Sequence, residues 1–288
     1  HKSNFKPKHL LMHNFTKWTL SIMLVLMSIG LSAQTFDRAY AAKLRGAQET
    51  QPRLSGGEGI VVCFIEDTTL TVFGEFENLS SPVDTSILGG IHIHNGLAGQ
   101  NGGIEFILKS EIDPDGLGGF IDEDSNVFHL SPVQVEALND RGLYVNLHTE
   151  NFPSGELRGQ IQEGDTTRDE IDFLFSANLY GSNEVHNVMS DARGSIVLDL
   201  IADTLTVSGS FTGLSSPLAT DIVGGAHIHL GYAGQNGPVE LVLNSELDGD
   251  SLGGVFLADS NRFILNANQI ALLRNRQFYV NIHSENFR

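Results

Sequence analysis

The sequence predicts an all-β protein: two tandem Greek-key β-sandwich or barrel domains of about 120 residues, each with a short helix. Three observations carry that expectation. Shifting the 288-residue sequence by 135 positions superimposes Lys43–Pro153 on Asn178–Arg288 without a gap, with 53 of 111 pairs identical. Agreement on that scale marks a duplication, and a period that long makes each copy a domain and not a solenoid unit. Within each copy the apolar pattern has period two: Leu70, Val72, Gly74 and Phe76 match Leu205, Val207, Gly209 and Phe211, as in a half-buried antiparallel strand. Finally, short strand-like runs recur at regular spacing, separated by Gly, Asn, Asp and Ser-Pro turns.

Taken in chain order, residues 1–33 read as a secretory signal peptide, with 1–11 as a possible upstream extension. Met12 and Lys17 open a basic segment, Leu20–Leu31 is apolar, and Ser32-Ala33-Gln34 offers a small residue before a cut near Ala33. The apolar run falls short of the roughly 20 residues that a membrane span needs. Domain 1 occupies 40–162, a charge- and Thr-rich linker 163–172, and domain 2 173–288. The expected strands of the first copy are Ile60–Ile65, Gly90–His94, Ile104–Leu108, Leu143–Thr149 and Glu156–Ile161, and a helix begins at Ser131-Pro132, a cap followed by proline. Its counterpart begins at Asn266. Since the counterpart of Gly155–Ile161 would fall beyond Arg288, the second domain is expected to be C-terminally truncated, one strand short.

The formal charge is −18, and it becomes −22 once residues 1–33, which carry four lysines and no acid, are removed. Such an acidic chain repels nucleic acid and anionic membranes. The mature part holds no membrane span, so a secreted, periplasmic or cell-surface location is expected. Cys63, the single cysteine, aligns with Leu198; a position that accepts Cys or Leu is a core position, and no intrachain disulfide can form.

The motif Gly90-Ile91-His92-Ile93-His94 recurs as Gly225-Ala226-His227-Ile228-His229. On a strand, residues i and i+2 share a face roughly 6 to 7 Å apart, so Ile91 and Ile93 turn to the core and both histidines turn away. A later strand places Tyr144, Asn146 and His148 on one face, repeated as Tyr279, Asn281 and His283. If those strands adjoin, His92, His94 and His148 converge in one copy, and His227, His229 and His283 in the other. Three neutral imidazoles suit copper or zinc; the alternative is a hydrogen-bonded polar cluster. His129 and His186 align with Ile264 and Gln51 and belong to neither set. Asp113, Asp115, Gly118 and Asp124 partly mimic a calcium loop, but Leu117 occupies a ligand position and no closing Glu follows, which favours an ordinary acidic turn. Ser154 lacks a nucleophile elbow, and Gly99–Gly102 leads into no helix that would cradle phosphate. Glu156 and Arg158 share a strand face, where an ion pair or polar network is expected beside the histidines.

Several segments taken together resemble the CHRD domain, a family named after chordin. They are Leu44-Arg45-Gly46-Ala47-Gln48-Glu49, Leu70-Thr71-Val72, Gly90–His94, Leu143–Thr149 and Phe152–Ile161. The resemblance covers both copies from residue 42 onward and implies a secreted bacterial type in which tandem domains are usual and no enzymatic activity is established. Copy two departs from it with Tyr180 and Asn183 in place of Arg45 and Gln48. The His-x-His strand is also similar to that of copper/zinc superoxide dismutase; His92, His94 and His148 carry over, but a bridging histidine, further zinc ligands and a disulfide are missing. The leading expectation is a non-enzymatic binding or adhesion module whose partner is an extracellular protein or surface ligand. The alternative is a copper- or zinc-binding protein using the two histidine trios.

Overall fold

The computed structural model describes residues 38–164 and 174–288. The signal-peptide segment and most of the expected linker lie outside those residues. Repeat 1 is built from β1 (Arg38–Arg45), β2 (Glu58–Glu66), β3 (Thr69–Glu77), β4 (Ile91–Asn95), β5 (Ile104–Ile107), β6 (Ser110–Ile112), β7 (Gly119–Ile121), β8 (Val127–His129), α1 (Pro132–Asn139), β9 (Leu143–Thr149), β10 (Phe152–Gln160) and β11 (Gln162–Gly164). All pairings are antiparallel, in the order β5-β4-β9-β10-β1-β2-β3-β7-β6, with β11 on β1 and β8 on β3. The sheet curls on itself and encloses Leu44, Val61, Cys63, Leu70, Val72, Ile91, Ile93, Val145, Leu147 and Leu157. The period-two pattern therefore places its apolar residues where expected. Burial pushes the Cys63 thiol up to about 12, which leaves it a core side chain and not a nucleophile.

The helix starts for the reason read from sequence. Ser131 accepts from the Gln134 backbone, Gln134 returns a bond to Ser131, and Pro132 fills the first turn. Leu138 anchors α1 to the core.

Repeat 2 follows the same order. It comprises β12 (Leu174–Tyr180), β13 (Arg193–Ile201), β14 (Thr204–Thr212), β15 (Ala226–Leu230), β16 (Val239–Val242), β17 (Glu246–Leu247), β18 (Gly254–Phe256), β19 (Arg262–Ile264), α2 (Ala267–Arg274) and β20 (Phe278–Ile282). Here the strands form two sheets, β12-β13-β14-β18-β17 and β16-β15-β20, around a second core. In repeat 1, β10 joins β9 to β1; among the described residues nothing plays that part between β20 and β12. No described helix is long and apolar enough to cross a membrane.

The sheet face opposite the core is also buried, and this positions the site. On β9 and β10 the residues between core positions are Tyr144, Asn146, His148, Glu156, Arg158 and Gln160, all buried. Loops lie across them. Arg158 donates to the carbonyls of Leu97 and Gln100, and Glu156 accepts from Ser55 and Ser80. Polar residues on a strand signal a face away from the apolar core, but they do not say whether water or loops cover that face.

Candidate metal centre

Strands β4 and β9 are neighbours, with His92 opposite Asn146 and His94 opposite Tyr144. His148 is two residues further along β9, diagonal to His92, and the ring centroids of His92 and His148 are 5.1 Å apart. His94 shares the face of His92 through the i, i+2 alternation of β4, whose register against β9 runs unbroken from Ile91 to Asn95. The three residues then offer ring nitrogens that lie within 4.8 Å of one another. A single ion bound at about 2.0–2.1 Å from imidazole nitrogen spans such a gap after small side-chain rotations. His227, His229 and His283 make the same arrangement in repeat 2. Both trios read from sequence are therefore brought together, and they are the only such groupings among the described residues.

In five of the six rings, all but that of His283, one nitrogen is engaged and one is left over. In repeat 1, His92 Nε2 donates to Leu88 O at 3.1 Å, His94 Nδ1 to Gly102 O at 3.1 Å and His148 Nδ1 to Pro153 O at 2.9 Å. Those bonds fix the tautomers, since a ring nitrogen facing a carbonyl must carry the hydrogen. His92 Nδ1, His94 Nε2 and His148 Nε2 are left with lone pairs, and all three are buried without a partner. Repeat 2 shows the same division: His227 Nε2 meets Val223 O at 2.8 Å and His229 Nδ1 meets Gly237 O at 2.9 Å, while His227 Nδ1 and His229 Nε2 have no partner. A hydrogen-bonded polar cluster leaves no such orphans, so the donor set fits a metal better than that alternative. Burial holds the pKa of His92, His94 and His148 below the usual imidazole value, against the pull of the backbone carbonyls. The rings are neutral and ready to ligate.

Two glycines make these anchors possible. Gly90 has φ +89 and a Cβ there would lie 2.4 Å from Val83 Cγ1, so only glycine allows the turn that brings the Leu88 carbonyl under His92. A Cβ on Gly102 would stand 1.5 Å from Asn95 O; the loop returns so closely that its carbonyl reaches His94.

Outward from the trio, Tyr144 stacks on His94 with ring centroids 5.0 Å apart and planes 11° from parallel. The Arg158 guanidinium lies 3.5 Å from the centroid of Tyr144. The expected association of Glu156 and Arg158 is thus a polar network in which each residue bonds other partners. One member escaped the sequence reading. Glu49 is 6 % exposed, and its Oε1 and Asn146 Oδ1 are both buried without a partner. A Cβ on Gly155 would lie 2.5 Å from the first and 2.4 Å from the second, so two acceptors border one small space, an arrangement that a proton on the acid resolves. Burial raises the Glu49 carboxyl to about 7, against the nearby Arg158 and Arg53 and a bond from Asn146. The signal was its identity with Glu184 across the duplication, where burial also raises the carboxyl and His229 lowers it.

A carboxyl whose folded-state pKa lies above its unfolded value stabilises the fold below the unfolded value, and that contribution is lost as pH rises through the folded one. Wild-type unfolding free energy is expected to fall by about 2–3 kcal/mol relative to Glu49→Gln as pH rises from about 4 to about 8. Denaturant melts of both proteins across that range check this; parallel curves would exclude Glu49 as the titrating group.

The remaining candidates behave as turns or surface residues. Asp115 Oδ1 accepts from the Leu117 backbone at 3.0 Å, and Asp250 repeats this with Leu252, so the calcium-like loops are closed by their own carboxylates. His129 lies on β8 beside Thr69 Oγ1 at 3.3 Å, and His186 is exposed. Neither joins a trio. Compared with known proteins, the CHRD domain family matches residues 40–161 and again residues 175–288. No curated protein matches the chain.

Proposed function

The chain belongs to the CHRD domain family, and from that premise we propose that it is an exported, non-enzymatic binding module in which each repeat holds one copper or zinc ion. His92, His94 and His148 hold the first ion and His227, His229 and His283 the second. The observation that carries this reading is a trio of histidines offering ring nitrogens within 4.8 Å of one another in both repeats, with a buried, unpartnered nitrogen on each of the five anchored rings. The match to the CHRD family, for which no enzymatic activity is established, favours binding over turnover. The N-terminal pattern of Met12, Lys17 and the apolar Leu20–Leu31 supports a secreted, periplasmic or cell-surface location, where an acidic module meets metal ions and extracellular partners.

Native mass spectrometry and thermal melts of the full chain with added copper or zinc test the proposal. Two ions per chain are expected, one in His92→Ala and none in His92→Ala/His227→Ala. At a free-metal concentration of 100 times Kd, each ion adds about 2.7 kcal/mol to the repeat that binds it. An unchanged melt and no bound ion at several-fold excess of either metal would remove the metal reading.

A further inference from the structure

We infer that the site in repeat 1 selects copper in its monovalent state over divalent copper and zinc; this rests on the metal-binding reading above. Three features of the site point the same way. The grouping consists of three histidines with no carboxylate among the ligand atoms, so a bound ion keeps its full charge. The cost of burying an ion grows as the square of its charge, roughly fourfold from a monovalent to a divalent ion in the same cavity. Next, His92 Nδ1, His94 Nε2 and His148 Nε2 are all shielded from solvent. Zinc in a closed site wants a fourth ligand in a tetrahedron, and divalent copper wants a tetragonal set; here no fourth His, Cys, Asp or Glu among the described residues joins the group, and the donor atoms themselves are shielded from solvent. Monovalent copper, a d10 ion content with three neutral nitrogens, needs neither.

The third feature is a fixed positive charge behind one ligand. Arg158 is almost completely buried, 3.5 Å from the centre of the Tyr144 ring, and that ring stacks on His94. Its guanidinium is held by the carbonyls of Leu97 and Gln100 and by Gln160 Oε1, with no carboxylate bonded to it to neutralise it. Positive charge at that place penalises each added unit of charge on the metal. Glu49, the acid that bears on Arg158, is itself raised to about 7 by burial. Asp84 acts on His148 only weakly, and its Oδ1 is occupied by Ser86. Arg158 and Tyr144 are therefore specificity-determining residues that act through His94 without touching the metal.

The test is an anaerobic competition on the full chain, with monovalent copper supplied through a chelator of known affinity and zinc or divalent copper as competitors. Monovalent copper is expected to fill the repeat 1 site at least tenfold more tightly than either divalent ion. The bound couple is then expected at a more positive potential than that of copper free in solution. Arg158→Gln is expected to lower that potential and narrow the preference, while Arg158→Lys keeps most of both; Tyr144→Leu, which removes the ring between charge and ligand, provides a second variant if Arg158→Gln does not fold. His92-dependent binding of zinc or divalent copper as tight as that of monovalent copper overturns this inference and leaves the metal-binding function standing. Uptake of none of the three ions overturns both.

Discussion

Replacing Glu156 with alanine is expected to destabilise the first repeat by about 2–4 kcal/mol, a loss of the size seen when a buried hydrogen-bond network loses its shared acceptor. The side chain is fully buried. Its carboxylate accepts from the Ser80 backbone at 2.9 Å, from Ser80 Oγ at 2.9 Å, from Ser55 Oγ at 2.5 Å and from Thr149 Oγ1 at 2.6 Å. Those donors belong to the segment before β2, the segment after β3 and the end of β9. One side chain on β10 thus ties down two of the loops that cover the polar sheet face. Alanine leaves four donors without their acceptor; Thr149 is fully buried, whereas Ser55 is half-buried and Ser80 exposed, and a buried orphan costs about 1–3 kcal/mol before relaxation. Glutamine keeps the shape but replaces one oxygen with an NH2 group. The serine and threonine hydroxyls can rotate to accept from it, whereas the Ser80 N–H cannot, so Glu156→Gln is expected to lose about 2 kcal/mol. Circular dichroism melts give the magnitude, and hydrogen exchange at the β9 and β10 amides assigns it to repeat 1. An alanine variant within about 1 kcal/mol of the parent would show that the network is not what secures the loops.

That network also marks the boundary of what the sequence revealed. The all-β architecture was legible because two kinds of repetition coincide: period-two alternation sets strand faces, and the 135-residue offset shows the same alternation twice. The histidine trios were legible for the same reason, since i and i+2 on one strand must share a face and a third histidine recurs in both copies. Their convergence depended on β4 lying next to β9, a long-range pairing that no local pattern encodes. The burial of the histidine face was hidden too, because loops 96–103 and 49–57 cover it through backbone carbonyls and single side chains. Glu49 shows the difficulty plainly. It sits in a segment read only as part of a family resemblance, and nothing local tells a solvated glutamate from one pressed against Asn146 and Arg158. The Arg158–Tyr144–His94 stack is assembled from three strands, β10, β9 and β4, so its order exists only in the fold.

The contact between the repeats yields the second large effect. Arg141 Nε donates to Asp199 Oδ2 at 2.8 Å and Nη2 to Oδ1 at 3.0 Å, with the two side chains 3 % and 2 % exposed. Burial raises the Asp199 carboxyl, and the guanidinium only partly offsets that rise. Such a pair adds little net stability, yet losing one partner strands the other charge. Arg141→Met is therefore expected to cost about 3–5 kcal/mol, because Asp199 then has no cation bonded to it. Asp199→Leu should cost less, since Arg141 retains Glu163 at 3.2 Å. The double variant Arg141→Met/Asp199→Leu is expected to return to within about 1 kcal/mol of the parent, so the cycle reports a coupling of about 3 kcal/mol. The duplication supports this: the position matching Asp199 in repeat 1 is Phe64, paired with Phe73 at 5.6 Å, so the strand itself tolerates an apolar side chain there. Asp199 is what repeat 2 adds to meet Arg141. If the double variant is as unstable as Arg141→Met alone, the pair contributes packing that leucine and methionine cannot replace, and the charge argument fails.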